Sequence, residues 1–554
     1  MTNQIRQWID SGAPWVWLNA SAVSCCILLV LGLVLMIAVP GLGHFWPTGV
    51  QELVLSDASD ERRTIAGQIQ DSETVDAQRL RESGVVVPDG QDLAKRYLVK
   101  VGNREIGGQD FIWVPEILIE SRMAPFGLMV LERQEWGNFY GYLQGLKQSG
   151  QLVSGSDAWE DLQRRLDRVT ALREQGKELE KGRIGSVNYR LERQRLKERG
   201  LQLEGVTEGP ELAAIAQQRQ ALGIEYAALE AELQELNDLL QRDAVLVRTA
   251  SGDVVELQMR DLVDAYRPNT MSLPAKLRHF LRKSWQFIVD EPREANTEGG
   301  IFPAIYGTVL MVLLMSVLVT PFGVVAAVYL KEYAKQGLLT RVIRIAVNNL
   351  AGVPSIVYGV FGLGFFIYTL GGGLDRLFFA AALPAPTFGT GGLFWASLTL
   401  AMLTLPVVIV STEEGLARIP RSIRDGRLAL GATRWETLWR TILPMASPGI
   451  MTGVILAVAR AAGEVAPLML VGVVKLAPSL PLDGNFPFLH PERKFMHLGF
   501  HIYDVGFQSP NVEAARPLVY ATALLLVSVT ILLNLAAIRV RNRLRARYRG
   551  LESS

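Results

Sequence analysis

The sequence predicts an all-α polytopic membrane protein of six transmembrane helices, with an α+β domain inserted outside the bilayer. Three observations carry that expectation. Six apolar runs, each near the roughly 20 residues a helix needs to cross a bilayer, lie at 16–39, 301–330, 345–370, 393–411, 448–473 and 518–538. They are continuous rather than alternating, which selects helices over barrel strands. Charge is segregated away from them: the 554 residues hold 56 Lys plus Arg and 55 Asp plus Glu, yet the mean hydropathy is +0.20. The near balance of charge argues against a nucleic-acid partner.

The first run is long for the core of a signal peptide. It is weakly basic in front and ends in Pro40-Gly41 without a clear small-x-small cleavage site, so it is read as a span rather than a cleaved leader. The two cysteines, Cys25 and Cys26, are helix neighbours about 100° apart and read as small apolar fillers, not a disulfide.

Short loops rich in Lys and Arg stay on the cytoplasmic side. Lys331, Lys335, Arg341 and Arg344 follow the second span. Arg418, Arg421, Arg424, Arg427, Arg434 and Arg440 follow the fourth, and Arg539 opens a basic tail after the sixth. The stretch 371–392 carries only Asp375 and Arg376. The expected layout is therefore a cytoplasmic N-terminus and first span (1–40), a periplasmic domain (41–300), a membrane core (301–541) and a basic cytoplasmic tail (542–554).

Within the periplasmic segment, 98–101 and 111–119 read as strands about a Gly107-Gly108 turn, and 244–248 with 254–259 as a hairpin about Ser251-Gly252. Between them, 156–241 reads as an antiparallel helical hairpin able to form a coiled coil. Its second half keeps a heptad through Ile215, Leu222, Leu229 and Leu236, with Tyr226, Leu233 and Leu240 on the companion position. Its first half opens with Trp159, Leu162, Leu166 and Val169, and 200–210 separates the halves. Residues 272–289 are basic and amphipathic, fit for the outer membrane–water boundary.

No phosphate-cradling Gly-x-x-x-x-Gly-Lys-Ser/Thr, zinc-protease helix or Gly-x-Ser-x-Gly elbow is present, so no catalytic residue is expected. His497 and His501 have helical spacing with His490 upstream. A metal site is one reading, structural histidines the favoured one, and no metal ligand is assigned.

The loop 412–444 carries Leu428, Leu430, Trp435, Leu438 and Trp439 among arginines, apolar groups that need a cover. Two short helices are expected about Gly431, the second stopped by Pro444 before the fifth span. A soluble partner or the chain's own membrane ends are the two candidate covers. In the fifth span, Arg460 and Glu464 are spaced i, i+4 to pair on one face, where each buried charge costs on the order of 2.5–3.5 kcal/mol. They serve either as a helix lock or as part of a pathway. Asn348, Asn349, Thr404 and Thr412 line a path or, more commonly, bond neighbouring helices.

The positions of Asp425, Gly431, Leu443 and Pro444 resemble the "EAA" coupling loop of ABC-importer permeases. Asp425 stands for Glu, Gly426 and Arg427 for the alanines, and Thr441 for the usual Ile. GGIFPAIYGTVLM at 299–311, VPSIVYGVFGL at 353–363 and GIMTGVILAVARAAGEVAPLML at 449–470 resemble the permeases of bacterial phosphate-specific (Pst) ABC transporters, over roughly 299–541. The domain before it is similar to the N-terminal extension of long members. The resemblance implies an ABC-importer permease fold and alternating-access import of phosphate. It implies a PstC-like partner permease, two PstB-like ATPase subunits that bind the ATP and Mg, and a periplasmic PstS-like phosphate-binding protein. The chain itself would carry no cofactor. Asp425, Gly431, Trp435, Leu443 and Pro444 would couple to the ATPase, and Arg460 with Glu464 would act on the translocation path. A permease for molybdate, sulfate or phosphonate is the alternative, and a membrane sensor reading a signal through the hairpin a more distant one.

Overall fold

A computed structural model describes residues 11–56, 62–82, 85–88, 92–153, 157–509 and 512–552. The expected cytoplasmic N-terminus before residue 11, Ser156 at the hairpin's start and the last two residues of the tail lie outside the described residues.

Six helices are long and apolar enough to cross a membrane: Pro14–Gly43, Phe302–Tyr333, Ser355–Phe378, Leu393–Ala417, Arg434–Ala462 and Ala515–Ala546. The fourth is the central one, packed against the second and the fifth. Missing side chains allow this closeness. A Cβ on Gly449 would stand 2.6 Å from Gly415 Cα, and one on Gly323 would stand 2.5 Å from a Val408 methyl. The first span is exposed all round along its apolar window. It leans on the sixth, where Gly41 lies against the Tyr520–Ala521 backbone.

Two spans differ from the sequence expectation. The third starts at Ser355 rather than near residue 345. Pro354 denies Val353 the helical region, so the preceding residues form a separate amphipathic helix, Leu338–Leu350. Leu338, Leu339 and Val342 on that helix are exposed. The fifth starts at Arg434 and ends at Ala462, because Gly463 and the unwound segment beyond it end the helix early.

The inserted domain holds two large antiparallel sheets, more extensive than the four strands expected, and a two-stranded ribbon of Pro292–Arg293 with Glu298–Gly299. The strands are β1 (Gln51–Ser56), β2 (Arg62–Asp76), β3 (Leu93–Lys100), β4 (Phe111–Pro115), β5 (Ile119–Met123), β6 (Leu128–Arg133), β7 (Phe139–Gln148), β8 (Gln151–Val153), β9 (Asp243–Arg248), β10 (Val254–Gln258) and β11 (Leu262–Tyr266). One sheet runs β4-β3-β2-β1-β5, with Leu53 opposite Ile65 and Val99 opposite Ile112. The other runs β10-β9-β7-β6-β11, with β8 beside β7. The β9–β10 hairpin turns at Gly252, whose φ of 99° suits glycine. Gly107 and Gly108 end a short helical turn, Arg104–Gly107, rather than a simple reverse turn.

The helical hairpin is present. Its first arm runs α1 (Ala158–Lys177), a wide π turn (Glu178–Ile184) and α2 (Gly185–Leu203); its second is α3 (Pro210–Leu240). The first arm continues through Gly200, so the break is shorter than expected. Leu222 and Leu229 bury against Leu179 and Val187, with Tyr226, Leu233 and Leu236 alongside. Arg183–Glu232 at 2.9 Å and Arg190–Glu225 at 2.7 Å bridge the arms. Leu162, Leu166 and Val169 instead cover the second sheet with Met129, Phe139 and Val245. That stripe faces the sheet because the domain's larger apolar surface lies there.

The amphipathic helix α4 (Leu273–Val289) exposes Leu277, Leu281 and Trp285 and buries His279 and Phe287. The hairpin reaches the membrane half. Tyr189 Oη donates to Phe486 O at 2.6 Å, its ring meets His490 edge-on, and α2 packs on the turn Ala380–Ala382. Span connectivity puts those two loops at the end of the bundle opposite the basic loops.

Candidate functional site

The basic end of the bundle is built around the connection between the fourth and fifth spans. The fourth span ends at Ala417, and Pro420 precedes the helix α5 (Arg421–Ala429). Gly431 turns the chain with φ +85°, a conformation that costs other residues about 1–2 kcal/mol. Thr433 then caps the next helix reciprocally: Glu436 N donates to Thr433 Oγ1 at 3.2 Å and Thr433 N donates to Glu436 Oε2 at 3.0 Å.

Pro444 does not stop this helix, contrary to the sequence reading. Arg434–Thr437 runs through a π turn, Leu438–Ile442, into Leu443–Ala462. The wider turn accommodates the proline's missing N–H and its ring. The loop's second helix is thus the root of the fifth span, and force on one is felt by the other.

On its outer surface Trp435 and Trp439 are each 62% exposed, and their rings stack at 5.7 Å and 15°. Leu428 and Leu430 are exposed nearby in sequence, as is Asp425. On its inner surface Leu438 and Ile442 are buried with Val328, Leu416, Ile419 and Ala446. The two candidate covers therefore divide the residues: Leu438 is covered by the chain itself, while Leu428, Leu430 and the two tryptophans are left uncovered. Gly431 is exposed at the turn; Leu443 and Pro444 are half-buried where the span begins.

Two ion pairs missed in the sequence fasten this end. Arg424 meets Glu332 of the second span at 3.1 Å and donates to Leu416 O at 2.8 Å. Arg344, on the Leu338–Leu350 helix, meets Glu413 of the fourth span at 3.5 Å and donates to Leu330 O at 3.2 Å. The only sequence signal was a carboxylate at the end of each apolar run.

Arg460 and Glu464 are brought together, with Nε to Oε1 at 3.6 Å, an ion pair too long for a direct hydrogen bond. They do not sit inside a continuous helix, as the sequence suggested. Arg460 is in the last turn and Glu464 lies past Gly463, in the unwound stretch before the short helix Leu468–Val471. The cation stands where the helix dipole favours it. Their side chains are 33% and 21% exposed, so this chain does not bury the pair.

The other polar positions hold helices together or lie outside the spans. Thr404 Oγ1 bonds Leu400 O in its own helix at 2.8 Å and Met315 Sδ of the second span at 3.4 Å, as a helix-bonding residue would. Thr412 is buried, and Asn348 with Asn349 lies exposed at the end of the Leu338–Leu350 helix rather than in a span. The three histidines do not converge. His490 lies between Asp483 and Glu492, His497 Nδ1 accepts from Gly499 N at 3.1 Å, and His501 Nδ1 is 3.4 Å from Thr522 Oγ1. Among the described residues no group of three His, Cys, Asp or Glu is placed to hold a metal ion.

Residues 319–550 match the family "Binding-protein-dependent transport system inner membrane component". The chain is 36% identical over 247 residues to the phosphate transport system permease protein PstA 1 of Mycobacterium tuberculosis (strain CDC 1551 / Oshkosh), spanning 44% of this chain and 71% of that one. It is 33% identical over 239 residues to the phosphate transport system permease protein PstA of Yersinia pestis, spanning 43% and 71%. It is 31% identical over 259 residues to the probable ABC transporter permease protein YqgI of Bacillus subtilis (strain 168), spanning 46% and 82%.

Proposed function

The chain belongs to the PstA-type permeases of binding-protein-dependent transport systems, and from that premise we propose that it is the membrane permease subunit of an ATP-driven importer of inorganic phosphate. The observation that carries the mechanism is the uncovered Trp435–Trp439 surface on a helix continuous with the fifth span. A separate, PstB-like ATPase holding ATP and Mg grips that surface, two copies serving this chain and a PstC-like partner permease. Closure of the ATPase tilts the root of the fifth span, and the Arg424–Glu332 and Arg344–Glu413 pairs carry the motion to the second and fourth spans.

The Arg460–Glu464 pair sits at the far end of that lever, about 24 Å from Pro444 at 1.5 Å per residue. Because this chain leaves it uncovered, it faces the partner permease and the path between the two. Arg460 offers phosphate a positive potential, and Glu464 limits how tightly the anion is held. The positive-inside rule puts the Trp435 end and both termini in the cytoplasm. The inserted domain, joined to the other end, is then periplasmic, where a PstS-like binding protein delivers phosphate.

Uptake of radiolabelled phosphate by the purified complex in proteoliposomes tests this reading, with molybdate, sulfate and phosphonate as competitors. Phosphate alone should compete effectively. Stronger competition by another of these oxyanions would transfer the assignment to it, and uptake without ATP would end it.

A further inference from the structure

The Leu338–Leu350 helix, between the second and third spans, has three sides of different chemistry at about 100° per residue. Ile343 and Val347 face inward and pack with Ala327, Leu330, Leu405 and Ile409. Leu338, Leu339, Val342 and Ile345 gather on the outer side and are 80%, 74%, 53% and 52% exposed, with Asn349 of the last turn the one polar residue among them. Arg341 and Asn348 form an exposed edge between those two sides. Neither the Trp435–Trp439 surface nor the Arg460 pair uses this apolar stripe.

The depth of the helix follows from what it packs on. Ile409 and Leu405 lie one and two turns inside Glu413, the first charged residue of the fourth span. Arg344 reaches from the helix to that carboxylate at 3.5 Å. Tyr329 and Tyr333, exposed in the last turns of the second span, stand where aromatic rings mark the headgroup level. The stripe therefore lies at the edge of the hydrocarbon, and a soluble subunit would have to enter the bilayer to cover it.

The surroundings are basic. Glu332 is taken by Arg424 and Glu413 by Arg344. Lys331, Lys335 and Arg341 are exposed and have no carboxylate within 4.0 Å among the described residues. Thr340 Oγ1 donates to Lys335 O at 2.8 Å, tying that lysine to the first turn, which carries no acidic residue. A protein partner would have to bring a carboxylate to each cation at a fixed place, because a charge buried without a partner is costly. A bilayer surface supplies anions without fixed geometry, beside the hydrocarbon that the stripe needs.

We propose that this helix lies in the membrane–water boundary at the basic end of the bundle and binds anionic phospholipid there. Leu338, Leu339, Val342 and Ile345 sit among the first acyl segments, and Lys335 and Arg341 hold the headgroup phosphates.

Photo-crosslinking in the purified transporter complex tests this, with benzoylphenylalanine in place of Val342 and the complex in nanodiscs of equal phosphatidylglycerol and phosphatidylcholine. Irradiation should attach phospholipid to this chain, predominantly phosphatidylglycerol. Adding Lys335→Gln or Arg341→Gln should each lower the ratio of phosphatidylglycerol to phosphatidylcholine adducts about fivefold, the scale of one basic side chain at an anionic surface, with the melting temperature unchanged. Adducts to the partner permease or to the ATPase in place of lipid would overturn the proposal. Equal adducts of the two lipids, or a ratio unchanged in both charge variants, would overturn the anionic preference. None of these outcomes depends on which anion the complex transports.

Discussion

His497 and His501 are almost completely buried, and burial governs their charge. It pushes His497 down to about 3 and His501 to about 4, the latter against an opposing pull from Asp504. An imidazole in the unfolded chain titrates near 6.5. Both are therefore neutral in the folded state where the unfolded chain would take up protons. The folded state keeps its full stability above pH 6.5 and loses it as pH falls toward 4, by roughly 1.4 kcal/mol per unit for each histidine. Thermal unfolding of the purified chain between pH 7 and pH 5 should show a falling midpoint. His501→Gln, which keeps a donor for Thr522, should flatten the slope; an unchanged slope would refute this assignment. At the same scale, Arg460→Gln should reduce phosphate uptake at least tenfold at normal membrane levels, since it removes the charge and leaves Glu464 without its ion-pair partner. Wild-type uptake by that variant would return the pair to a purely structural role.

At the scale of elements, the proposed docking helix makes a prediction a floppy loop would not. Leu438 and Ile442 are held in the protein's own core while Trp435 and Trp439 face outward. Replacing both tryptophans with alanine should leave the melting temperature within about 2 °C, because no buried contact is lost, yet release the ATPase from the purified complex. Co-purification at wild-type stoichiometry would defeat the docking proposal. Gly431→Ala meets open space but an unfavourable φ, so it should slow coupled transport without abolishing insertion.

The sequence made the apolar spans and the Leu222–Leu229 seam legible, because each repeats a physical period many times. It hid β7, where Gly141 and Gly145 break the pattern. A Cβ on Gly141 would meet Val247 and the Arg248 carbonyl at 2.5–2.7 Å. Glycine is there for the close approach of β9, a reason visible only once the neighbour is in place. The start of the third span and the continuous fifth-span helix were likewise misread at Pro354 and Pro444. One proline ends a helix and the other is absorbed by a π turn, and spacing alone does not separate the two outcomes. For the candidate site, the residue types at 425–444 were readable, but not which of them the protein buries itself.

At the scale of the whole molecule, the hairpin crosses from the sheets to the loops at the domain-side end of the bundle. α2 touches the Ala380–Ala382 turn after the third span and, through Tyr189, the Phe486 carbonyl after the fifth. Under the proposed alternating-access cycle these loops would move relative to each other, and the hairpin, touching both, is placed to brace them. Removing all of 158–240 would test this badly. It would strip Leu162, Leu166 and Val169 from the second sheet and expose a core that includes Phe139 and Val245, unfolding the domain along with the brace. A cleaner cut removes 184–231 and joins Arg183 to Glu232, already 2.9 Å apart at their charged tips, through a short turn. The sheet keeps its cover, and Tyr189 with its partners in the seam is gone. Uptake by the shortened protein should fall several-fold while the ATPase stays bound, because the proposed docking surface lies at the opposite end. Tyr189→Phe, which deletes one hydrogen bond of about 1 kcal/mol, should reproduce only a small part of that loss. Full activity in the shortened protein would mean that the contacts at Phe486 and Ala380–Ala382 carry no part of the transport cycle.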